Sequence, residues 1–490
     1  MNNVLGGLKP AEVFRYFEIL SGIPRGSGHE KKVSDWFVTF AKEQGLECYQ
    51  DPKYYNILIK KPGTSGYENS PSVILHGHMD MVCKSEIGVV HDFLNNGLEL
   101  IIEDGYIRAK GTTLGADNGI GIAYFLAVLD SDSIPHPPLE MALTIMEEMG
   151  KVGGDNYQTE MLTGKRMIDL NWHKDDYILA GCAGDVSVQY DVPVLWEKAA
   201  DNDSFYKLSI YGLLGGHCEF DIVLERANAI KLAARFVERL LHEADIWVAS
   251  ISGGVQNNVI PAEAEVVFSF AKDNYETVKR AVDEVTAQIK FEYEMTDPGI
   301  VVELSELKGH MPYVFSKKTS CILSKSILLI PDGVVNMSFR IPEISECSNN
   351  IGLMVTENNT VKIISTITSS VASRKHGVMN QIIALSELVG NGVKAYQIGT
   401  DAPEWNYNPD SYMLNMAKKA YKTAAGEEAK IEIMPASLEL GLFKSRIDGL
   451  DIISIGTETH GVHTPKEELK VDSVAKVWEI FKELLKSLKW

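Results

Sequence analysis

At 490 residues the chain is too long for one hydrophobic core, and two domains are expected. A hydrophobic fraction of 45% and a charged fraction of 23% are those of a soluble globular protein. A formal net charge of −20 argues against nucleic acid or an anionic membrane surface as a partner.

Cys48, Cys83, Cys182, Cys218, Cys321 and Cys347 are scattered, with no C-x-x-C pair, and read as reduced thiols rather than a disulfide framework. The first residues show no basic stretch followed by an apolar one, and no apolar run approaches the ~18 residues of a membrane helix. A cytoplasmic protein is expected.

In chain order, amphipathic patterns predict helices over 9–20 and 28–43, separated by the glycine-rich loop 22–28. Strands are expected over 55–60 and 72–78. Residues 111–121 form a glycine-rich turn into a helix over 120–129, and strands follow over 141–146 and 166–170. Strands alternating with helices imply an α/β domain with a largely parallel sheet, whose sites lie at the carboxyl ends of strands. From about Asp185 to Tyr396 the character changes to runs of strands with long helices over 221–241 and 274–289. Further strands are expected over 333–339 and 361–368, with a helix over 378–388. The βα style then returns: helix 411–425, strand 430–434, short helix 438–445, strand 452–455 and helix 473–488. The expected organisation is a catalytic domain from 1–186 and 397–490, interrupted by an α+β domain over 187–396.

Four polar clusters each end an apolar run. His78 and Asp80 follow the run Val73-Ile74-Leu75 and share a face of an extended chain, so an imidazole can bind a metal while the carboxylate fixes its tautomer. Asp117 sits at the glycine-rich turn. That turn lacks the P-loop Lys-Ser/Thr pair and G-x-G-x-x-G, which argues against nucleotide; a carboxylate exposed there can bridge two ions or cap the helix. Glu147 and Glu148 follow a strand, and Gly150, Gly153 and Gly154 suggest that the strand stops there. One acid could then ligate and the other act as general base, the plainer alternative being a solvated surface pair. Near the other end His463, before Thr464-Pro465, is a better ligand candidate than His460.

Taken together, His-Gly-His-Met-Asp-Met-Val, Gly-Thr-Thr-Leu-Gly-Ala-Asp-Asn-Gly-Ile-Gly, Thr-x-x-Glu-Glu-x-Gly, Gly-Cys-Ala-Gly, Gly-Gly-His and His-Thr-Pro-x-Glu occur in one order. The chain thereby resembles the aminoacyl-histidine dipeptidases, of the co-catalytic di-zinc aminoacylase and carboxypeptidase superfamily. The resemblance covers essentially the whole chain. It implies a zinc-peptidase-like α/β catalytic domain and an inserted α+β lid that also mediates dimerisation. It implies that His78 binds a first metal with Asp80 orienting it, and that Asp117, joined to Asn118 by a cis peptide, bridges two metals. It assigns Glu147 as general base, Glu148 and His463 as ligands of the second metal, and His217 as a lid histidine that stabilises the oxyanion. Asn258, Arg374 and Glu439 resemble substrate-pocket positions.

The sequence departs from that family in places. Counting back from Gly181-Cys182, Asn171 stands where the family has an aspartate ligand of the first metal, with Asp169 on the same strand face as a substitute. Cys218 and Glu219 follow Gly-Gly-His where small residues are usual. Ala262 replaces an arginine, and Ser437 a glycine. The expected function is hydrolysis of unblocked dipeptides, Xaa-His included, with two divalent ions: zinc first, manganese or cobalt as alternatives, and a weak first site. An N-acyl amino acid hydrolase and a catalytically impaired homologue are the alternatives. A homodimer formed through the inserted domain, with no nucleic-acid or membrane partner, is expected.

Overall fold

The computed structural model describes residues 3–489. Residues up to Gly181, Trp405–Met434 and those from Leu438 on form one compact unit; Cys182–Glu404 and Pro435–Ser437 form another.

In the first unit a sheet runs in the order Glu47–Gln50, Ile57–Lys61, Leu139–Thr144, Val73–His78, Arg166–Asp169, Asp451–Ser454, with the start of the long strand Tyr177–Pro193 beyond. The three pairings among Leu139–Thr144, Val73–His78, Arg166–Asp169 and Asp451–Ser454 are parallel, and those flanking them are antiparallel, so the sheet is mixed. Val73–His78 and Leu139–Thr144 are buried at every position, as strands covered on both faces must be. The helix Ala116–Leu129 is also buried along its whole length and apolar all round, which suits a core helix rather than a surface one. Tyr124 stacks on Trp478 of the final helix Val471–Ser487 at 5.9 Å.

Register brings the polar strand ends level. His78 lies opposite Thr144, His76 opposite Asp169, and Asp169 opposite Ser454. Gly77 lets the core helix approach between the two histidines: a Cβ there would meet Asn118 Oδ1 at 2.5 Å. A small antiparallel sheet of Thr459–His460, Glu468–Lys470, Tyr106–Ala109 and Leu100–Glu103 ties the loop 461–467 to the chain just ahead of the glycine-rich turn.

In the second unit a sheet has the order Tyr177–Pro193 (its part after Gly181), Thr360–Ser369, Ser345–Glu357, Ile246–Gly253, Ala264–Ala271, Asp203–Tyr211 and Val301–Glu306. The helix expected from 221 begins at Ala229 instead. The Asn228 side chain accepts from the backbone N–H groups of Ile230 and Lys231 and so sets the start, while Ile222–Leu224 is a separate 3₁₀ turn. A helix over Lys317–Leu329 was not anticipated. Ser316 caps it by accepting from Thr319 N, and Leu323 and Ile327 supply its buried face. The helix expected from 378 starts earlier, at Ala372. Among the described residues no helix is long and apolar enough to cross a membrane.

Candidate metal centre

The carboxyl ends of the parallel strands open into a cleft of about 180 Å³ in the first unit, whose lining includes His78, Asp117, Glu147, Glu148, Asn171 and His463. His78 ends its strand and points Nε2 at Asp117 Oδ1, 2.8 Å away. The Asp117–Asn118 peptide is cis. His463 comes from the far end of the chain at φ 64°, a left-handed conformation unusual for a residue with a Cβ. Its Nε2 meets Glu148 Oε1 at 2.7 Å and lies 3.5 Å from Asp117 Oδ2. The two oxygens of Asp117 therefore face different imidazoles, the arrangement a bridging carboxylate needs.

Both acids of the Glu147-Glu148 pair belong to this cleft because the strand stops at Thr144 and Met146 turns at φ 48°. Asp80 fixes that turn. Its Oδ1 accepts from Glu147 N at 3.1 Å, its Oδ2 from Glu148 N at 3.2 Å and from Ser27 Oγ at 2.8 Å, and its Oδ1 lies 3.4 Å from His78 Nδ1. Glu30 holds the same bend through Met146 N. The sequence suggested Asp80 as the orienter of His78; its grip on the Glu147 and Glu148 backbone was not legible.

Close opposite charges set the protonation states. Burial works against the charged form of His78, but its bonds to Asp117 and Asp80 outweigh this and raise its pKa well above the ordinary imidazole value. Hydrogen bonds to Asp117 and Glu148 raise His463 to about 10. Burial opposes ionisation of Asp117, yet the bonds from His463 and His78 hold its carboxyl well below the usual range. Burial, with repulsion from Glu439, Glu148 and Asp117, lifts Glu147 to about 8 against the attraction of His78.

Beneath the candidate ligands lies a buried polar network that sequence reasoning missed. His76 Nδ1 meets Asp169 Oδ1 at 3.0 Å and its Nε2 meets Glu439 Oε2 at 2.9 Å. Thr144 Oγ1 donates to Glu439 Oε2, and Ser454 Oγ to Asp169 Oδ2. Glu439, expected in a substrate pocket, lines the cleft with its carboxylate engaged by His76 and Thr144. Asp169, the candidate substitute ligand, has both oxygens engaged within the chain. Asn171 lies at the cleft with Oδ1 accepting from Asn118 Nδ2 at 2.7 Å. A polar residue on the inner face of a fully buried strand was the signal for His76; its partners depend on strand order.

Burial alone would lower the His76 pKa, but its bonds to Asp169 and Glu439 raise it to about 9. The folded-state value lies above the unfolded one of 6.5, so the stabilisation is full below pH 6.5 and is lost as pH rises through 9. Denaturant midpoints of the metal-free protein should therefore fall between pH 6.5 and 10, and His76→Gln should flatten that decline. An unchanged slope in the variant would show that His76 does not carry it.

His217, Asn258 and Arg374 belong to the second unit. Gly216–His217 pairs with Val259–Ile260, and Cys218 N donates to Asn258 O at 3.0 Å, so His217 and Asn258 are neighbours. Asp221 Oδ2 accepts from His217 N at 2.8 Å, and His217 Nδ1 accepts from Glu219 N. Arg374 is engaged separately, its Nε 2.6 Å from Glu346 Oε2.

Two further residues hold the turn before Asp117. Glu467, 2% exposed, accepts from the backbone N–H groups of Leu114, Gly115 and Ala116 at 2.8–2.9 Å. Arg25, equally buried, donates to the carbonyls of Met79, Asp80 and Gly115. Glu467 is the last residue of the His-Thr-Pro-x-Glu motif, and the motif alone gives that glutamate no task.

The donor set fits divalent ions. Single ligand atoms of His78, Asp117 and Glu148 lie within 4.8 Å of one another, and imidazoles converge on both carboxylate oxygens of Asp117. Fold and site define a metallopeptidase. Residues 208–297 match the model of the M20 peptidase dimerisation domain. The chain is 31% identical over 484 residues, 99% of both chains, to the cytosol non-specific dipeptidase of Escherichia coli K12. It superposes on the aminoacylhistidine dipeptidase of Vibrio alginolyticus with a TM-score of 0.93 at 32% identity, covering 99% of this chain and 98% of that one. An aminopeptidase from Bacillus cereus shares the fold at a TM-score of 0.57 and 15% identity, covering 98% of this chain and 99% of the other. The chain belongs to the M20 peptidases, in the aminoacyl-histidine dipeptidase family.

Proposed function

We propose that this protein is a dipeptidase that hydrolyses unblocked dipeptides, Xaa-His among them, with Glu147 as general base. The observation that carries this reading is the placement of Glu147 in the same cleft as the Asp117 carboxylate, whose two oxygens face His78 and His463. His78 and Asp117 would hold one divalent ion, with Asn171 beside them; Asp117, Glu148 and His463 would hold the other. Zinc is the first choice, with manganese or cobalt as alternatives. Such a pair would polarise a carbonyl and lower the pKa of a bound water. Glu147 takes the water's proton and delivers it to the departing amine. Asp80 keeps His78 in the tautomer that presents Nε2 and holds the Glu147-Glu148 bend in place. A panel of dipeptides and N-acetyl amino acids, assayed with added zinc, manganese or cobalt, tests the reading. Cleavage of the N-acetyl compounds alone would assign an acylase instead, and no turnover on either would indicate an impaired homologue.

The two metal positions should be unequal. The Asn171 carbonyl oxygen carries no charge, so the first site has one anionic ligand, shared, while the second has two. Loss of a partner even one shell out typically weakens a site about 10–100-fold, and a direct ligand charge should matter at least as much. Calorimetry should show one tight and one weak site, and Asn171→Asp should tighten the weak one. Two equally tight sites, unchanged by the substitution, would exclude Asn171 from the ligand set.

The inserted unit should form a homodimer, with the imidazole of His217 acting on the oxyanion from the partner. The match to a peptidase dimerisation domain and the terminal strand Val301–Glu306 of its sheet support this. A fully active monomer in sedimentation at micromolar concentration would refute it.

A further inference from the structure

We propose that His173 is an additional protein ligand of the metal centre, bound through Nε2 on the Asp117 Oδ2 side together with His463. The inference rests on the metal-centre reading above and adds a residue that neither the motifs nor the spacing singled out. His173 Nε2 lies 3.6 Å from Asp117 Oδ2, and His463 Nε2 lies 3.5 Å from the same oxygen. Both separations are at the long end of hydrogen bonding. They lie close to the spacing of donor atoms that share one ion: with bonds of about 2.0–2.1 Å and tetrahedral angles, neighbouring ligand atoms sit roughly 3.3–3.5 Å apart. The shorter contacts, His78 to Asp117 at 2.8 Å and His463 to Glu148 at 2.7 Å, are ordinary hydrogen bonds between groups that an ion would separate.

The surroundings of His173 leave its ring available. Asn171, two positions earlier, lies beside the other proposed ion, and its Oδ1 accepts from Asn118. The His173 ring lies near-parallel to that of Trp172, with interplanar angle 20° and centroids 6.1 Å apart, and its backbone carbonyl accepts from Thr459 N. The side chain is about one-third exposed and lines both the cleft and the wider basin beside it, so its nitrogen reaches the cleft without being part of the core. With His173 the ion on this side meets two imidazoles and two carboxylates, Asp117 and Glu148. Such a set favours zinc or cobalt over manganese, which prefers oxygen donors.

Metal titration of the metal-free wild type and His173→Ala tests this. The variant is expected to bind zinc at the tighter site about 10–100-fold more weakly, to lose less affinity for manganese, and to shift the visible absorption of its cobalt derivative. Melting of both proteins without metal reports whether the substitution disturbs the fold. Wild-type protein loaded with cobalt gives a readout that needs no variant: three solvent-exchangeable, paramagnetically shifted imidazole N–H signals are expected, from His78, His173 and His463. Two such signals, or zinc affinity and cobalt spectra in His173→Ala equal to wild type, would overturn the inference and leave the metal centre standing. Wild-type protein that takes up no ion at all would overturn the centre itself.

Discussion

Glu147→Gln is expected to fold, to retain its metal and to lose turnover by about 10²–10⁴-fold, the usual contribution of a positioned acid or base. The amide matches the carboxylate in shape, and the proposed ligands are other residues, so the centre should assemble. What disappears is the carboxylate proposed to accept the water's proton in the metal-loaded centre. The pKa of Glu147 is raised by burial first and then by Glu439, Glu148 and Asp117, to about 8. A carboxyl whose folded-state pKa exceeds the unfolded one favours the fold only at low pH; that contribution is lost as pH rises from 4.5 through 8. The metal-free variant should therefore be no less stable than wild type at pH 6 and more stable at pH 9. Stopped assays on metal-loaded protein and denaturant titrations of the metal-free form measure the two effects. Activity within tenfold of wild type would reject Glu147 as the base.

Glu467→Ala should produce the largest loss of stability. Its carboxylate satisfies three buried backbone N–H groups ahead of Asp117, and Gly115 links it to Arg25, which donates to the same residue's carbonyl. Removing it leaves those donors without an acceptor and takes away one of the several negative charges that act on the buried Arg25. Each buried donor left unsatisfied costs about 1–3 kcal/mol. The turn that presents Asp117 should loosen as well, so metal content should fall with stability. Glu467→Gln keeps one carbonyl oxygen and should lose less. Chemical denaturation with metal analysis decides the matter, and an alanine variant as stable as wild type would show that water can replace the carboxylate.

The contrast between Glu467 and the proposed ligands shows what a sequence carries. His78, Asp117, Glu148 and His463 each follow an apolar run or a glycine-rich turn, so local pattern pointed to them and the family motifs placed them in order. The α/β frame was readable for the same reason. Helix starts such as Ala229 and Lys317 depended on one capping side chain, Asn228 or Ser316, within an ambiguous pattern. The groups that support the site left a weaker mark. His76 finds Asp169 only because their strands lie side by side, and Glu439 only because a helix more than three hundred positions later closes over them. His173 reaches Asp117 through the path of a loop, which no periodicity records.

Those long separations bear on how the protein is made. His76 and Glu439 are 363 positions apart, Leu114 and Glu467 353, and Glu148 and His463 315. At roughly 5–20 residues per second, synthesis of such a stretch takes about 20–70 s. Throughout that interval His78, Asp117 and Glu148 have emerged without the imidazole that Glu148 will meet. The turn before Asp117 lacks the anion beneath its N–H groups, and His76 has one of its two carboxylates. Local folding on the ribosome can build the early strands and the buried helix, but not the finished ligand cage. The proposed centre is thus assembled late in translation, completed by residues that emerge more than three hundred positions after its first members.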